Sequence, residues 1–135
     1  MANYLLDTNH ISPIVTPGHR LRARIMQPND AEDTFHIAVP ALTEMLFGIR
    51  TLPRAERNLR DWQRFEDLFT FHPIEKQDAE YASLLQATLR RQGRQLHTVD
   101  ALIAAIALRY NLILLTTDKD FQAVVGLAQA NWMSG

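Results

Sequence analysis

The sequence predicts an α/β fold that is built from parallel strand–helix–strand units. Residues 4–6 form a short apolar run that ends at Asp7 and is followed by residues typical of a helix start. Residues 35–39 show the two-residue alternation of a strand, and residues 112–116 form another apolar run after a helical segment and a short turn. Because strands and helices alternate along the chain, parallel βαβ units are favoured.

Two short helices are predicted between the first and second strands. The first begins near Asn9 and ends near Pro17, since Pro17 and Gly18 in succession interrupt a helix. The second covers residues 20–26, and residues 28–30 form the turn that leads into the second strand.

The helix after the second strand is predicted to have Pro40 at its first position, where the missing N–H costs nothing. Its apolar residues fall on one stripe: Leu42, Met45, Leu46 and Ile49. Glu44 lies on the opposite side, and Gly48 follows one turn later on the same face as Glu44. A glycine inside a helix costs about 1 kcal/mol relative to alanine, so we expect another group to approach the backbone closely at Gly48.

The second half of the chain is predicted to alternate in the same way. An arginine-rich helix opens at Pro53, and a short strand covers residues 69–72. The next helix covers residues 76–92. A further helix has Thr98 as its N-cap, and its body, residues 101–108, is apolar on nearly every side and is therefore expected to be buried.

Four acidic residues, Asp7, Glu44, Asp100 and Asp118, make up the candidate site, with Asp120 close by. Asp7 and Asp118 lie at the carboxyl ends of strands, where ligands bind in open α/β sheets. In an α/β layer fold all four acids can face one cleft. Each acid alone also has an ordinary explanation, as a turn or N-cap aspartate, as a partner of the helix dipole or as an exposed glutamate.

A cluster of four carboxylates needs counter-charge, because a like-charged pair about 4 Å apart costs about 1–4 kcal/mol. Such a cluster raises its own pKa values or binds a cation. Oxygen ligands suit magnesium or manganese rather than zinc, and the chain has no cysteine and no H-x-x-x-H spacing. One or two hard cations in such a site lower the pKa of bound water and clamp a phosphodiester for in-line attack.

Composition narrows the class of protein further. The net charge is −1, but arginines cluster within residues 20–24, 50–64 and 90–94, which suits a polyanionic substrate approaching a metal-loaded acidic site. The alternative is that these arginines lie on solvated helix faces. Glycine-rich phosphate loops, nucleophile elbows, signal peptides and membrane-length apolar stretches are absent from the sequence. We expect a single cytoplasmic domain over residues 1–135.

Four segments share a family pattern: residues 5–9 (LLDTN), 43–48 (TEMLFG), 100–105 (DALIAA) and 116–121 (TTDKDF). In this order and spacing they resemble the PIN-domain ribonucleases, and among these the VapC-like toxins of bacterial and archaeal toxin–antitoxin pairs. The resemblance covers nearly the whole chain.

The resemblance implies a three-layer α/β/α fold with a central, mainly parallel sheet, and a magnesium- or manganese-dependent endoribonuclease. Asp7, Glu44 and Asp100 match the three core acids of the family. The fourth acid is Asp118 or Asp120, and Asp118 is favoured because it lies nearer the end of the strand.

Asn9 and Thr116 match polar positions that shape the family's site, whereas His10 receives no role. The resemblance also implies a homodimer and a cognate antitoxin protein whose tail fills the groove over the acids. RNA is the implied substrate, and no membrane is involved.

Two other functions are weighed against the toxin ribonuclease. A magnesium-dependent phosphohydrolase with Asp7 as nucleophile generally requires a second aspartate two residues on, where this chain has Asn9. A metal- or RNA-binding module without turnover is the other alternative, and binding of metal without RNA cleavage would favour it.

Overall fold

The computed structural model describes residues 1–133, and Ser134 and Gly135 lie outside the described residues. The strands are β1 (Asn3–Leu6), β2 (Thr34–Ala38), β3 (Phe69–His72), β4 (Ile113–Leu115) and β5 (Gln129–Ala130). They form one sheet in the order β3-β2-β1-β4-β5, and every neighbouring pair is parallel. The predicted α/β fold with a parallel central sheet is confirmed.

The helices cover the sheet on both sides. They are α1 (Thr8–Ile11), α2 (Arg20–Met26), α3 (Val39–Thr51), α4 (Ala55–Phe65), α5 (Lys76–Arg91) and α6 (Thr98–Arg109). Leu5 and Leu6 are neighbours on β1 and point to opposite faces of the sheet, yet both are fully buried. Both faces of the central strand are therefore covered, as in a three-layer α/β/α fold. Within residues 1–133, every helix is too short or too polar to cross a membrane.

The strand order places a topological switch point between β1 and β4. The chain builds outward from β1 through β2 to β3 on one side, then returns to place β4 against the other side of β1. Ligands in open parallel sheets bind outside the carboxyl ends of the strands at such a point, because the connections on its two sides diverge and leave a crevice. Asp7 follows β1, and residues 116–118 follow β4, so both segments lie at this crevice.

Polar contacts hold α5 and α6 in register. Arg109, in the last turn of α6, bonds the carboxylates of Asp78 at 2.9 Å and Glu75 at 3.1 Å at the start of α5. At the other end, Gln86 of α5 donates to the hydroxyl of Thr98, the first residue of α6, at 3.2 Å. The two helices are therefore antiparallel, and the beginning of α6 lies beside the end of α5.

Three predicted helix starts are wrong by one or two residues. Helix α3 begins at Val39, so Pro40 is its second residue, where a missing N–H is still without cost. Helix α4 begins at Ala55 rather than Pro53, after Arg54 in a left-handed conformation with φ 63°. The N-cap of α6 is His97, because the Thr98 hydroxyl bonds Gln86 instead of capping the helix.

The prediction of a close approach at Gly48 is also wrong. A Cβ atom added at Gly48 would meet no atom within 4 Å outside its own helix, so packing does not require glycine there. Strand β5, a strand of two residues that pairs with β4, was not predicted from the sequence. Gln129 and Ala130 carry no β-branched or aromatic side chain that would indicate a strand.

Candidate active site

Asp7 lies at the centre of the candidate site and is held in one orientation by three donors. Its side chain is only 4% exposed at the end of β1, and it is the N-cap of α1. One carboxylate oxygen, Oδ1, accepts from the backbone N–H of Thr8 at 2.8 Å. The other, Oδ2, accepts from Thr116 Oγ1 at 2.8 Å and from Asn9 Nδ2 at 3.1 Å.

Thr116 and Asn9 join the segments that follow β1 and β4. The Thr116 hydroxyl donates to Asp7 and accepts from the backbone N–H of Asp118 at 3.0 Å. Asn9 donates to Asp7 through its amide nitrogen and accepts from the backbone N–H of Thr117 at 3.2 Å through its carbonyl oxygen. The structure thus places both predicted polar residues against Asp7.

Glu44 reaches the site from α3. Its Oε1 accepts from Thr8 Oγ1 at 3.0 Å, one residue beyond Asp7. The side chain is exposed, in contrast to Asp7. An exposed carboxylate beside a buried one can meet a ligand that enters from solvent.

Asp100 lies in the first turn of α6, and its environment disfavours its charge. Burial raises the pKa of Asp100 to about 6, and the negative charges of Asp7, Asp118 and Glu44 contribute to the rise, while His97 opposes it. The charges of the other three predicted acids therefore all act on Asp100. The four acids lie in the segment after β1, in α3, in α6 and in the segment after β4, which are distant in the sequence.

The pKa of Asp7 is raised as well. Burial is the largest cause, and the charges of Glu44 and Asp118 add to it. The hydrogen bonds from Thr116 and Thr8 act in the other direction because they stabilise the ionised form. Burial and neighbouring charge thus raise the pKa of Asp7, and its hydrogen bonds limit that rise.

Asp118 and Asp120 differ in position. Asp118 caps a short 3₁₀ segment, Lys119–Ala123, and its Oδ1 accepts from the backbone N–H of Asp120 at 2.8 Å. Its charge acts on both Asp7 and Asp100. The Asp120 side chain is exposed and is not among the charges that raise the pKa of Asp7 or Asp100. Of the two, only Asp118 acts on the charge of Asp7 and Asp100, and its assignment as the fourth acid stays a prediction.

The chemistry of these side chains fits a hard divalent cation. All four offer carboxylate oxygens, and their mutual repulsion is the kind that a cation relieves. Within residues 1–133, no three or more His, Asp or Glu side chains form a group that could hold a metal ion as they are placed. Magnesium does not require such a group, because it keeps several of its waters and is bound through one or two carboxylates.

His10 is the polar residue of this region whose place the sequence did not reveal. It is fully buried, and its two ring nitrogens contact Asn9 Oδ1 and the backbone N–H of Trp132. Burial lowers its pKa to about 4, so the ring is neutral at pH 7. Trp132 lies 122 residues away in the chain, so local sequence carried no signal of this contact.

The fold and the site together define a class: an α/β protein with a cluster of carboxylates at the switch point of a parallel sheet. The chain belongs to the PIN domain family, whose family model matches residues 4–127. The resemblance to VapC-like PIN proteins, expected from the four sequence motifs, is confirmed by the relatives described next.

Two curated relatives match over almost their whole lengths. The "tRNA(fMet)-specific endonuclease VapC" of Shigella flexneri is 28% identical over 134 residues, covering 98% of this chain and 99% of the relative. "Ribonuclease VapC2" of Haemophilus influenzae is 25% identical over 134 residues, covering 98% of this chain and 100% of the relative.

Solved structures share the fold. VapBC2 from Rickettsia felis, bound to a DNA fragment from its promoter, matches with a TM-score of 0.85 at 22% identity, covering 96% of this chain and 98% of that chain. DNA-bound VapBC from Salmonella typhimurium matches with a TM-score of 0.82 at 23% identity, covering 98% of this chain and 99% of that chain. At this level of identity the likeness concerns the fold alone.

Proposed function

We propose that this protein is a magnesium- or manganese-dependent endoribonuclease that acts as the toxin of a toxin–antitoxin pair. The observation that carries the proposal is the convergence of four carboxylates, from Asp7, Glu44, Asp100 and Asp118, at the switch point of the sheet. The curated relatives, which are named as an endonuclease and a ribonuclease, support RNA as the substrate.

Each side chain has a separate task in this proposal. Asp7 and Asp100 hold the primary cation, while Glu44 and Asp118 complete its surroundings or hold a second cation. A bound magnesium or manganese ion supplies charge that stabilises the phosphodiester transition state and makes a nearby water acidic. Thr116 and Asn9 keep the Asp7 carboxylate fixed so that its position is set before the substrate arrives. Hydrolysis by water leaves a 5′-phosphate and a 3′-hydroxyl.

A basic groove beside the head of α6 offers a path for the RNA backbone. The groove has a volume of about 820 Å³ and is lined by Arg90, Arg94, Gln86 and neighbouring residues. Gln86 also bonds Thr98, so the groove borders the start of α6, the helix that carries Asp100. Both arginines are exposed. Arginines in such a groove attract phosphates of any sequence and steer the chain toward the acids.

A cognate antitoxin protein is part of this proposal, as is a homodimer. Support for the antitoxin comes from solved structures with the same fold, which are described as a toxin–antitoxin complex from Klebsiella pneumoniae and as a member of the VapBC family of toxin–antitoxin systems from Mycobacterium tuberculosis. Affinity purification from cells, followed by identification of bound proteins and measurement of the mass of the complex, tests both partners.

The deciding experiment is the mapping of new 5′-phosphate RNA ends in cells after brief induction of the wild-type chain. Asp100→Asn is the inactive comparison, and Asp61→Asn on α4 is the matched control, because it removes the same charge and Asp61 is not among the charges that act on Asp7 or Asp100. We expect cuts at a few sites with wild type and Asp61→Asn, and none with Asp100→Asn. The three purified proteins are also tested for RNA cleavage, first with added Mn²⁺ and then with EDTA.

Identical RNA ends in all three samples would contradict the proposal. Binding of RNA and Mn²⁺ without cleavage would instead identify a module without turnover. Capture of a phosphorylated Asp7 would identify a phosphohydrolase, although Asn9 occupies the position of the second aspartate that such enzymes require.

A further inference from the structure

His10 is enclosed between the candidate site and the end of the described chain. It has no exposed surface, although it lies only three residues after Asp7. Its Nε2 lies 3.0 Å from the backbone nitrogen of Trp132, and its Nδ1 lies 2.7 Å from Asn9 Oδ1. A buried imidazole is costly unless both nitrogens have partners, and here both have one.

These contacts determine which nitrogen carries the proton. A backbone N–H can only donate, so Nε2 must accept from Trp132. In the neutral ring the proton is then on Nδ1, which donates to Asn9 Oδ1. The tautomer of His10 therefore follows from the contact with Trp132.

The tautomer in turn fixes the direction of the Asn9 amide. Asn9 Oδ1 accepts from His10 and from the backbone N–H of Thr117. Reversing the amide would place its NH₂ group against these two donors. The amide nitrogen therefore faces Asp7 Oδ2, to which it donates at 3.1 Å.

We propose that His10 is a positioning residue for Asp7, acting through Asn9 by donating from Nδ1, and that the backbone N–H of Trp132 fixes the His10 tautomer that makes this donation possible. The role in catalysis rests on the proposed function, but the chain of bonds does not. All three hydrogen bonds run in the same donor-to-acceptor direction. Trp132 donates to His10, His10 donates to Asn9, and Asn9 donates to the carboxylate of Asp7. A carboxylate held by such outer partners loses about 10–100-fold in metal affinity or activity when they are removed.

Trp132 is itself firmly placed. Its ring packs edge-on against Tyr4 of β1, with centroids 4.7 Å apart, and the Arg24 guanidinium lies 3.5 Å from its centroid. The backbone N–H that meets His10 is thus held by the central strand and by α2.

Three variants distinguish a positioning role of His10 from a packing role. His10→Leu fills similar space and removes both hydrogen bonds. His10→Asn keeps a donor near the place of Nδ1 and loses the contact with Trp132. Ile14→Val trims a neighbouring buried side chain and leaves the hydrogen bonds intact, so it is the control for weakened packing.

The first readout needs no catalysis. Nitrogen-15 spectra should show His10 protonated at Nδ1 in the metal-free wild type, with slow hydrogen exchange at the Asn9 side-chain amide. That exchange should become fast in His10→Leu and stay slow in His10→Asn and Ile14→Val. A proton on Nε2, or unchanged exchange in His10→Leu, overturns the proposal.

The second readout is Mn²⁺ affinity by calorimetry, with kcat and KM for RNA cleavage. We expect His10→Leu to weaken Mn²⁺ binding and lower kcat by about 10–100-fold with little change in KM. His10→Asn should recover most of both quantities. Equal losses in His10→Leu and Ile14→Val would make His10 a packing residue only. If the wild type neither binds Mn²⁺ nor cuts RNA, the proposed function fails, and the spectra still decide the chain of bonds.

Discussion

The hydroxyl of Thr116 donates to Oδ2 of Asp7 at 2.8 Å and joins two residues that are 109 positions apart in the sequence. This bond ties the end of β4 to the end of β1 at the switch point of the sheet. It is buried, so solvent does not compete for it. It also opposes the rise in the pKa of Asp7 that burial causes.

Replacing Thr116 by valine keeps the shape of the side chain and removes that bond. We expect the pKa of Asp7 to rise further, because its ionised form loses a donor. In the proposed nuclease the acidic limb of the pH–rate profile should then shift toward higher pH, with about a tenfold loss of activity at pH 7. Thr117→Val is the matched control, since its side chain is exposed and only its backbone contacts Asn9. Identical pH profiles for the two variants would contradict this role of Thr116.

The raised pKa of Asp100, about 6, predicts how the stability of the metal-free protein depends on pH. The folded state binds a proton at Asp100 more tightly than the unfolded state does. This residue therefore stabilises the fold at pH 4 relative to pH 7, and that contribution is lost as the pH rises through about 6.

Asp100→Asn should therefore melt at a higher temperature than wild type at pH 7 in EDTA, and the difference should shrink toward pH 4. Calorimetric scans of both proteins from pH 4 to 7.5 measure it. A variant that is less stable than wild type at pH 7 would show that the charge of Asp100 is compensated in the free protein.

Addition of a divalent cation should reverse the loss of stability that the charge of Asp100 causes at pH 7. We expect Mn²⁺ or Mg²⁺ to raise the melting temperature of wild type at pH 7, since a ligand at 100 times its Kd adds about 2.7 kcal/mol of stability. Asp7→Asn should show little or none of this gain, whereas Asp61→Asn should behave as wild type. Equal shifts in all three proteins would place the cation elsewhere.

The basic groove predicts a specific change in salt dependence. In an Asp100→Asn background, which binds RNA without cutting it, Arg90→Ala and Arg94→Ala should each weaken binding of a single-stranded RNA. Each should also reduce the slope of log affinity against log salt by about 0.7.

Arg57→Ala on α4 is the control for the general loss of positive charge. Fluorescence anisotropy at several salt concentrations gives the slopes. If Arg57→Ala reduces the slope as much as the groove variants do, the groove has no special part in RNA binding.

The sequence was sufficient to predict an element of the fold wherever that element carries its own hydrophobic pattern. The run before Asp7 and the apolar body of α6 predicted a strand and a buried helix, and both were confirmed because each carries its own hydrophobic pattern. Strand β5 was missed because its two residues have no strand propensity of their own, so its place comes from pairing with β4. The prediction at Gly48 was wrong for a similar reason. A glycine inside a helix indicated a close contact, but whether another element approaches depends on the tertiary structure, and the structure has open space there.

The candidate site shows the same difference between residues with a local sequence signal and residues placed by tertiary contacts. The four acids were found from their positions after strands and at helix starts, and from the family motifs. Their polar support was found only where the family pattern includes it, at Asn9 and Thr116. His10 was not found, because its partner Trp132 meets it only after the whole sheet has formed.

The pairing of β1 with β4 has a consequence for protein synthesis. A ribosome makes Thr116 109 residues after Asp7, at about 5–20 residues per second. Throughout that interval the first carboxylate has neither its hydroxyl partner nor Asp118 beside it. A nascent chain therefore cannot carry the assembled acidic cluster until Thr116 and Asp118 have left the ribosome.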